Sequence, residues 1–143
     1  MTEYFILFLI FIICYLIGSI PFGLILTKLF DNNDLRNIGS GNIGATNVLR
    51  TGNKTLALLT LILDLSKSFI PLFIFLKLYP HPIINNLFNL IIVDQIFLIL
   101  VFGYFFVLGH CFPIWLKFKG GKGIATSFGV ILSIDFFLSL IHI

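Results

Sequence analysis

Two glycine-rich stretches hold most of the side chains in this 143-residue chain that are equipped for chemistry. The first runs Asp34-Leu-Arg-Asn-Ile-Gly-Ser-Gly-Asn-Ile-Gly-Ala-Thr-Asn-Val-Leu-Arg50. Glycine lets a backbone come close to an anion, and consecutive N–H groups form a concave nest for it. Ser40, Asn42, Thr46 and Asn47 add side-chain donors, and Arg36 and Arg50 offer planar forks that grip phosphate through paired hydrogen bonds. The second stretch runs Gly109-His-Cys-Phe-Pro-Ile-Trp-Leu-Lys-Phe-Lys-Gly-Gly-Lys-Gly-Ile-Ala-Thr126. There Gly120, Gly121 and Gly123 bracket Lys122 just before a hydrophobic run. One ammonium and several N–H groups at a helix N-terminus would favour negative charge. Both stretches therefore point to phosphate.

Two familiar phosphate motifs are excluded. Gly39, Gly41 and Gly44 match the G-x-G-x-x-G spacing, and Asp64 follows about 20 residues later, as a dinucleotide fingerprint asks. That fingerprint needs a preceding strand and a βαβ unit. Here the flanks are long apolar runs, and Asp64 lies inside one. The second stretch lacks the G-x-x-x-x-G-K-[ST] spacing of a Walker A loop.

The elements that must position these stretches are membrane spans. The chain is 59% hydrophobic and 10% charged. Soluble domains carry about 25% charge, and a soluble fold this apolar could not cover its surface. Phe5–Thr27 contains no charged residue and no histidine, long enough for the ~20 residues a spanning helix needs. Glu3 near the start and the length of the run argue against a signal peptide. Pro21, between Gly18 and Gly23, should break the helix and leave backbone groups that protein must satisfy. Thr55–Tyr79 is a second span. It carries Asp64 and Lys67 on one face, where burial demands that they pair. That pair is either a helix-docking device or part of a site.

A third span covers Ile83–Leu108, with its true crossing nearer Ile91–Leu108 and the Asn-rich 85–89 segment as an outer loop or interfacial helix. A fourth covers Ile124–Ile143, and Ser133 and Asp135 suggest a turn inside it. The expected fold class is all-α, a polytopic transmembrane bundle of about four spans. Seven of the nine Lys and Arg residues sit in the 28–54 and 109–122 connections: Lys28, Arg36, Arg50, Lys54, Lys117, Lys119 and Lys122. Positive residues stay cytoplasmic. The N-terminus and the 79–90 turn are then outside, and both glycine-rich loops share the inner face. Lys77 departs from the pattern and would snorkel, and Trp115 suits an interfacial anchor. Cys14 and Cys111 have no metal-ligand spacing and are read as free thiols. No aromatic-basic pattern suggests nucleic acid. A substrate with phosphate groups and a lipid-compatible tail would suit two such loops on one face, although loops that merely connect helices would show the same residue types.

Longer strings sharpen this. Gly18-Ser-Ile-Pro-Phe-Gly23 with the Asp34–Arg50 run resembles the first motif region of the PlsY family, the bacterial acyl-phosphate:glycerol-3-phosphate acyltransferases. Gly109-His-x-x-Pro-x-x-x-Lys-Phe-Lys-Gly-Gly-Lys-Gly-Ile-Ala-Thr126 resembles its second motif, and Asp64-Leu-Ser-Lys67 its Asp-x-x-Lys. The resemblance implies a multi-pass enzyme of the bacterial inner membrane that moves a fatty acyl group from acyl phosphate to the 1-hydroxyl of sn-glycerol 3-phosphate. The products would be lysophosphatidic acid and inorganic phosphate. It implies no cofactor and no metal, and an upstream enzyme that forms acyl phosphate. It makes Ser40 and Arg50 the catalytic residues. Asn42, Gly44, Thr46 and Lys122 would bind substrate phosphate, Gly120, Gly121 and Gly123 would shape the glycerol phosphate pocket, and His110 would be a supporting polar residue. The family's third motif, with a His and an Asn, has no counterpart here, and His142 does not match it. The expectation is thus one membrane-embedded acyltransferase domain over residues 1–143, incomplete at the C-terminus. A small transporter of an organic phosphate and an inactive remnant are the competing readings.

Overall fold

The computed structural model describes residues 2–31, 34–79, 81 and 95–141. Among the described residues six α-helices order the chain, α1 (Thr2–Gly18), α2 (Phe22–Phe30), α3 (Ala45–Val48), α4 (Lys54–Leu78), α5 (Gln95–Cys111) and α6 (Ile124–Ile141), and no strand occurs. Among the described residues three segments are long and apolar enough to cross a membrane: Tyr4–Phe30, Lys54–Leu78 and Ile96–Leu116. Their outward faces carry large side chains such as Phe5, Phe8, Leu58 and Phe97, and α6 carries Ile131, all more than half exposed. In water that surface would be untenable; against lipid it is the expected solvent face.

The first span breaks at residues 19–21, as Pro21 demands. Proline has no N–H to give and its ring crowds the preceding turn. The Ile20 carbonyl freed by the break accepts from Lys67 Nζ at 3.2 Å, so protein satisfies it. The break also returns α2 toward the first loop, where Gly23 lies against the Ile43 backbone with no room for a Cβ.

Small residues set the crossings, as expected where van der Waals packing rather than water exclusion drives association. Gly18 on α1 meets the Phe106 backbone on α5, and Gly109 on α5 meets the Tyr15 and Ser19 backbone. Around them Cys14, Phe102, Phe106 and Ile99 form a buried cluster with Leu72 and Leu76 of α4. On the other side Gly129 of α6 lies over the Leu65 carbonyl of α4, and Ser68 Oγ donates to the Thr126 carbonyl at 2.7 Å.

The fourth apolar run departs from expectation. No turn forms at Ser133–Asp135; α6 continues through both to Ile141. Ser133 Oγ donates to the Val130 carbonyl of the same helix at 2.7 Å, which removes the polar penalty without breaking the helix. Asp135 stands on an exposed position. In the third span the helix is described from Gln95, and the 85–89 segment lies outside the described residues. Cys14 and Cys111 are free thiols.

Candidate phosphate-binding site

The first glycine loop is organised around one amide. Asn47, 2% exposed on α3, has its Nδ2 within 3.0 Å of the Leu35 carbonyl, 2.9 Å of Ile38 and 2.8 Å of Asn42. Its two N–H groups are shared among those three carbonyls. Its Oδ1 accepts from the Ser40 N–H at 3.2 Å and from Ser40 Oγ at 3.3 Å. Gly39 and Gly41 take positive φ values of 53° and 69°, which fold the chain around this hub. The sequence marked Asn47 as a donor toward an anion; in the structure its donors are used by the loop itself. The open-nest expectation is corrected in the same way. Gly41 N–H bonds to the Ile38 carbonyl at 2.9 Å and Gly44 N–H to Asn42 Oδ1 at 3.0 Å.

The loop's ends are tied by carboxylates. Asp34 accepts from Arg36 through Nε at 2.9 Å and Nη2 at 2.6 Å, and Lys28 Nζ lies 3.7 Å away. The Arg36 hydrogen bonds, first among several causes, hold the Asp34 carboxyl well below the usual carboxylate range. Arg36, expected to grip phosphate, is therefore occupied as a loop clamp. Asp31 receives Thr51 Oγ1 at 3.3 Å and Asn53 Nδ2 at 3.2 Å, while Asn53 Oδ1 caps α4 through Leu56 N–H at 3.1 Å.

The second loop holds its shape through backbone contacts. Gly120 N–H donates to the Cys111 carbonyl at 3.1 Å and Gly121 N–H to the His110 carbonyl at 3.0 Å. A Cβ on Gly120 would strike the His110 and Cys111 carbonyl oxygens, and one on Gly121 would strike His110 Nε2. Gly123, with φ 75°, ends the loop one residue before α6 begins. Tyr15 Oη ties the start of the loop to α1 by donating to the Phe112 carbonyl at 2.7 Å. Trp115 is exposed, as an interfacial anchor would be.

Both loops line one cavity of about 480 Å³. Its polar wall includes Ser40, Asn42, Gly44, Thr46, Arg50, His110, Lys122 and Gly123, and its apolar wall Leu61, Leu65, Ile124, Ala125 and Phe128. Gly120 and Gly121 do not line it; they stand behind, against His110. Arg50 drapes over Gly39, where a Cβ would meet its guanidinium. Among the described residues neither Arg50 nor Lys122 pairs with a carboxylate. Asp64 also reaches the cavity, but Lys67 Nζ lies 2.7 Å from its Oδ1 and His110 Nδ1 lies 2.8 Å from the same ammonium. The expected Asp64–Lys67 pair thus forms, and it recruits a histidine that spacing alone does not reveal. No cluster of His, Cys, Asp and Glu fit to hold a metal occurs among the described residues. The cavity has a net cationic, hydrogen-bonding end and an apolar side, which suits an anionic head joined to an aliphatic tail.

Comparison with known proteins bears on this geometry. The family model described as Glycerol-3-phosphate acyltransferase matches residues 8–143. A glycerol-3-phosphate acyltransferase of Bartonella henselae is 56% identical over 126 residues, 88% of this chain and 54% of that protein. One of Pelagibacter ubique is 53% identical over 129 residues, 90% of this chain and 59% of that protein. Among solved structures, PlsY (YgiH), an integral membrane glycerol 3-phosphate acyltransferase in its glycerol 3-phosphate form, matches with a TM-score of 0.74 and 39% identity over 94% of this chain and 60% of that one. Its lysophosphatidic acid form matches with a TM-score of 0.72. The chain spans a little over half the length of these curated relatives. Its apolar helices and its likeness to an integral membrane protein make it a membrane protein.

Proposed function

The chain belongs to the glycerol-3-phosphate acyltransferase family, and from that premise we propose that its cavity takes glycerol 3-phosphate and an acyl phosphate and passes the acyl group to the 1-hydroxyl. The observation that carries the reading is a pair of cations, Arg50 and Lys122, that meet no carboxylate among the described residues and come from two loops to one cavity with an apolar wall. The solved PlsY forms with glycerol 3-phosphate and lysophosphatidic acid are those of a substrate and a product of the same step.

Acyl phosphate is already activated, so the protein's work is alignment and charge neutralisation. Arg50 and Lys122 hold phosphate oxygens. Thr46 and Asn42 add hydrogen bonds, and Gly44 and Gly123 keep the wall thin enough for the anion to approach. The 1-hydroxyl oxygen attacks the acyl carbon, the bond from that carbon to the phosphate oxygen breaks, and phosphate leaves with the hydroxyl proton. Ser40 orients substrate by hydrogen bonding. Its Oγ neighbours the Asn47 amide oxygen, which is no general base, so an acyl-Ser40 intermediate has no activating partner among the described residues. Leu61, Leu65 and Phe128 give the acyl tail an apolar flank.

The same reading sets the chain in the bacterial inner membrane with its N-terminus outside and both loops cytoplasmic, following the basic residues of the loops. An enzyme that makes acyl phosphate would supply it. The test uses membranes bearing the chain, acyl phosphate and radiolabelled glycerol 3-phosphate. Label extracted as lysophosphatidic acid, and lost in Arg50→Ala, is the expected result. Label that crosses the bilayer unchanged makes the chain a transporter and ends the proposal.

A further inference from the structure

The turn between α5 and α6 has two sides. Inward, Pro113 is buried, and Leu116 packs against the cluster of Leu24, Leu35 and Val48 beneath the first loop. Outward, Phe112, Ile114, Trp115 and Phe118 are each about half exposed or more. Lys117 and Lys119 are exposed among them. Backbone bonds fix this display. The Leu116 and Phe118 N–H groups both donate to the Pro113 carbonyl, at 3.1 and 3.0 Å, and Lys119 N–H donates to the Leu116 carbonyl at 3.1 Å. Lys117 and Phe118 take φ values of 52° and 63°, a left-handed conformation that long and bulky side chains rarely adopt. The fold therefore imposes the outward display against the local preference of the residues that make it.

An exposed apolar patch mixed with polar groups marks an interaction surface. Here it continues a lipid-facing one. The span Ile96–Leu116 runs into the turn, and Phe97, Leu100 and Tyr104 are exposed along it. Tryptophan at the end of a span suits headgroup depth, where one part of the ring is apolar and the other wet. The charge of the turn has one sign. No Asp or Glu occurs between Gln95 and Ile134, and Lys117 and Lys119 meet no carboxylate among the described residues. A layer of anionic headgroups supplies the charge that the protein leaves out.

We propose that residues 112–119 form a docking surface for anionic phospholipid. Phe112, Ile114, Trp115 and Phe118 enter the boundary between headgroups and acyl chains, and Lys117 and Lys119 meet lipid phosphates. This surface lies on the outer side of the turn and does not depend on which ligand the cavity takes. Lys122, three residues on, lines the cavity and is not one of these contacts. Two rival arrangements exist. The turn stands in water, or it receives a soluble protein with an acidic surface.

Trp115 is the only tryptophan in the chain, so its fluorescence reports this turn alone. The full chain is placed in nanodiscs of mixed phosphatidylcholine and phosphatidylglycerol. One lipid or the other is brominated near the carbonyl end of its acyl chains, at the same mole fraction. Both should quench Trp115, and the brominated phosphatidylglycerol more strongly. The anionic lipid should be enriched at the turn roughly fivefold or more, since each lysine near a charged surface contributes a preference of about that size. Added salt should shrink the difference. Lys117→Asn with Lys119→Gln removes both charges, and asparagine accepts the left-handed backbone at position 117. In that double variant the two lipids should quench alike. Thermal unfolding should be nearly unchanged, because both side chains are exposed. Equal quenching by the two lipids in the parent overturns the proposal. So does a preference for phosphatidylglycerol that the double variant keeps. A Trp115 that neither lipid quenches and that aqueous iodide does quench overturns it as well, and leaves the turn open to a soluble partner.

Discussion

The two loops border the same cavity but keep their shapes by different means. The first is held by a polar side chain at its centre: Asn47 reaches three carbonyls and the Ser40 N–H. The second is held by absence of side chains: Gly120 and Gly121 sit so close to the end of α5 that nothing larger than hydrogen fits. A loop built on a hub tolerates changes around its rim and fails when the hub is removed. A loop built on close contact fails at any added atom. The difference also sets what each loop can offer a ligand. In both, several backbone N–H groups are used internally, so recognition passes to Ser40, Thr46, Arg50 and Lys122.

The largest expected effect comes from adding atoms to the second loop. Gly120→Ala drives a methyl into two carbonyl oxygens, and Gly121→Ala drives one into the His110 ring. A cost of about 3 kcal/mol, the upper end for overpacking, is expected for Gly120→Ala, where the neighbour is backbone. Thermal unfolding in nanodiscs measures it. Gly52→Ala is the control for space, since nothing lies within 4 Å of the Cβ position there, although its φ of 89° strains any side chain.

Removal of the first loop's hub should rank next. Asn47→Ala strands the Asn42 carbonyl and the Ser40 N–H and leaves the Leu35 and Ile38 carbonyls with their backbone partners alone, a loss of about 2 kcal/mol. Hydrogen exchange should quicken across residues 35–48 and stay unchanged across 112–123. Equal quickening in both loops would show that the two are one unit and dissolve the contrast drawn above. Asn47→Asp sharpens it, because an acid keeps the acceptors and loses both donors.

These contrasts separate what the residue order discloses from what it conceals. Pro21 announces its break because proline's lack of a donor is local, and the Asp64–Lys67 pair follows from helical spacing in a run where neither charge can face lipid. His110 joins that pair from another helix, 43 residues away, and no periodicity connects them. Arg36 and Arg50 look alike in the sequence. The short turn at Leu35–Asn37 brings Arg36 back onto Asp34 and leaves Arg50 to the cavity. Ser133 reads as a helix breaker until its hydroxyl is seen to bond within the helix. In each case the chain shows which polar groups exist, and only the packing decides which of them are already satisfied.

The smallest effect belongs to the Asp34–Arg36 clamp at the rim of the first loop. The carboxyl is held below its usual range, so its contribution is present above the unfolded value of about 3.9 and is lost as pH falls through the lower folded value. Unfolding followed from pH 8 down to pH 5 should therefore show nothing attributable to this pair, with a decline only in stronger acid. Arg36→Ala should flatten that decline, because the carboxyl's folded value then returns toward its unfolded one, while leaving the neutral-pH midpoint nearly unchanged, as an exposed pair implies. A neutral-pH midpoint that falls as far as in Asn47→Ala would mean the rim, too, carries the loop.

The central claim is that Arg50 and Lys122, from loops of opposite construction, hold one phosphate-bearing ligand. Titration calorimetry of glycerol 3-phosphate into the chain in nanodiscs tests it directly, with Arg50→Ala and Lys122→Ala beside the parent. Each single variant should bind roughly tenfold or more weakly at a nearly unchanged unfolding midpoint, since each removes a charge-assisted contact from an exposed side chain and no buried packing. Binding that is untouched by both substitutions would contradict the account.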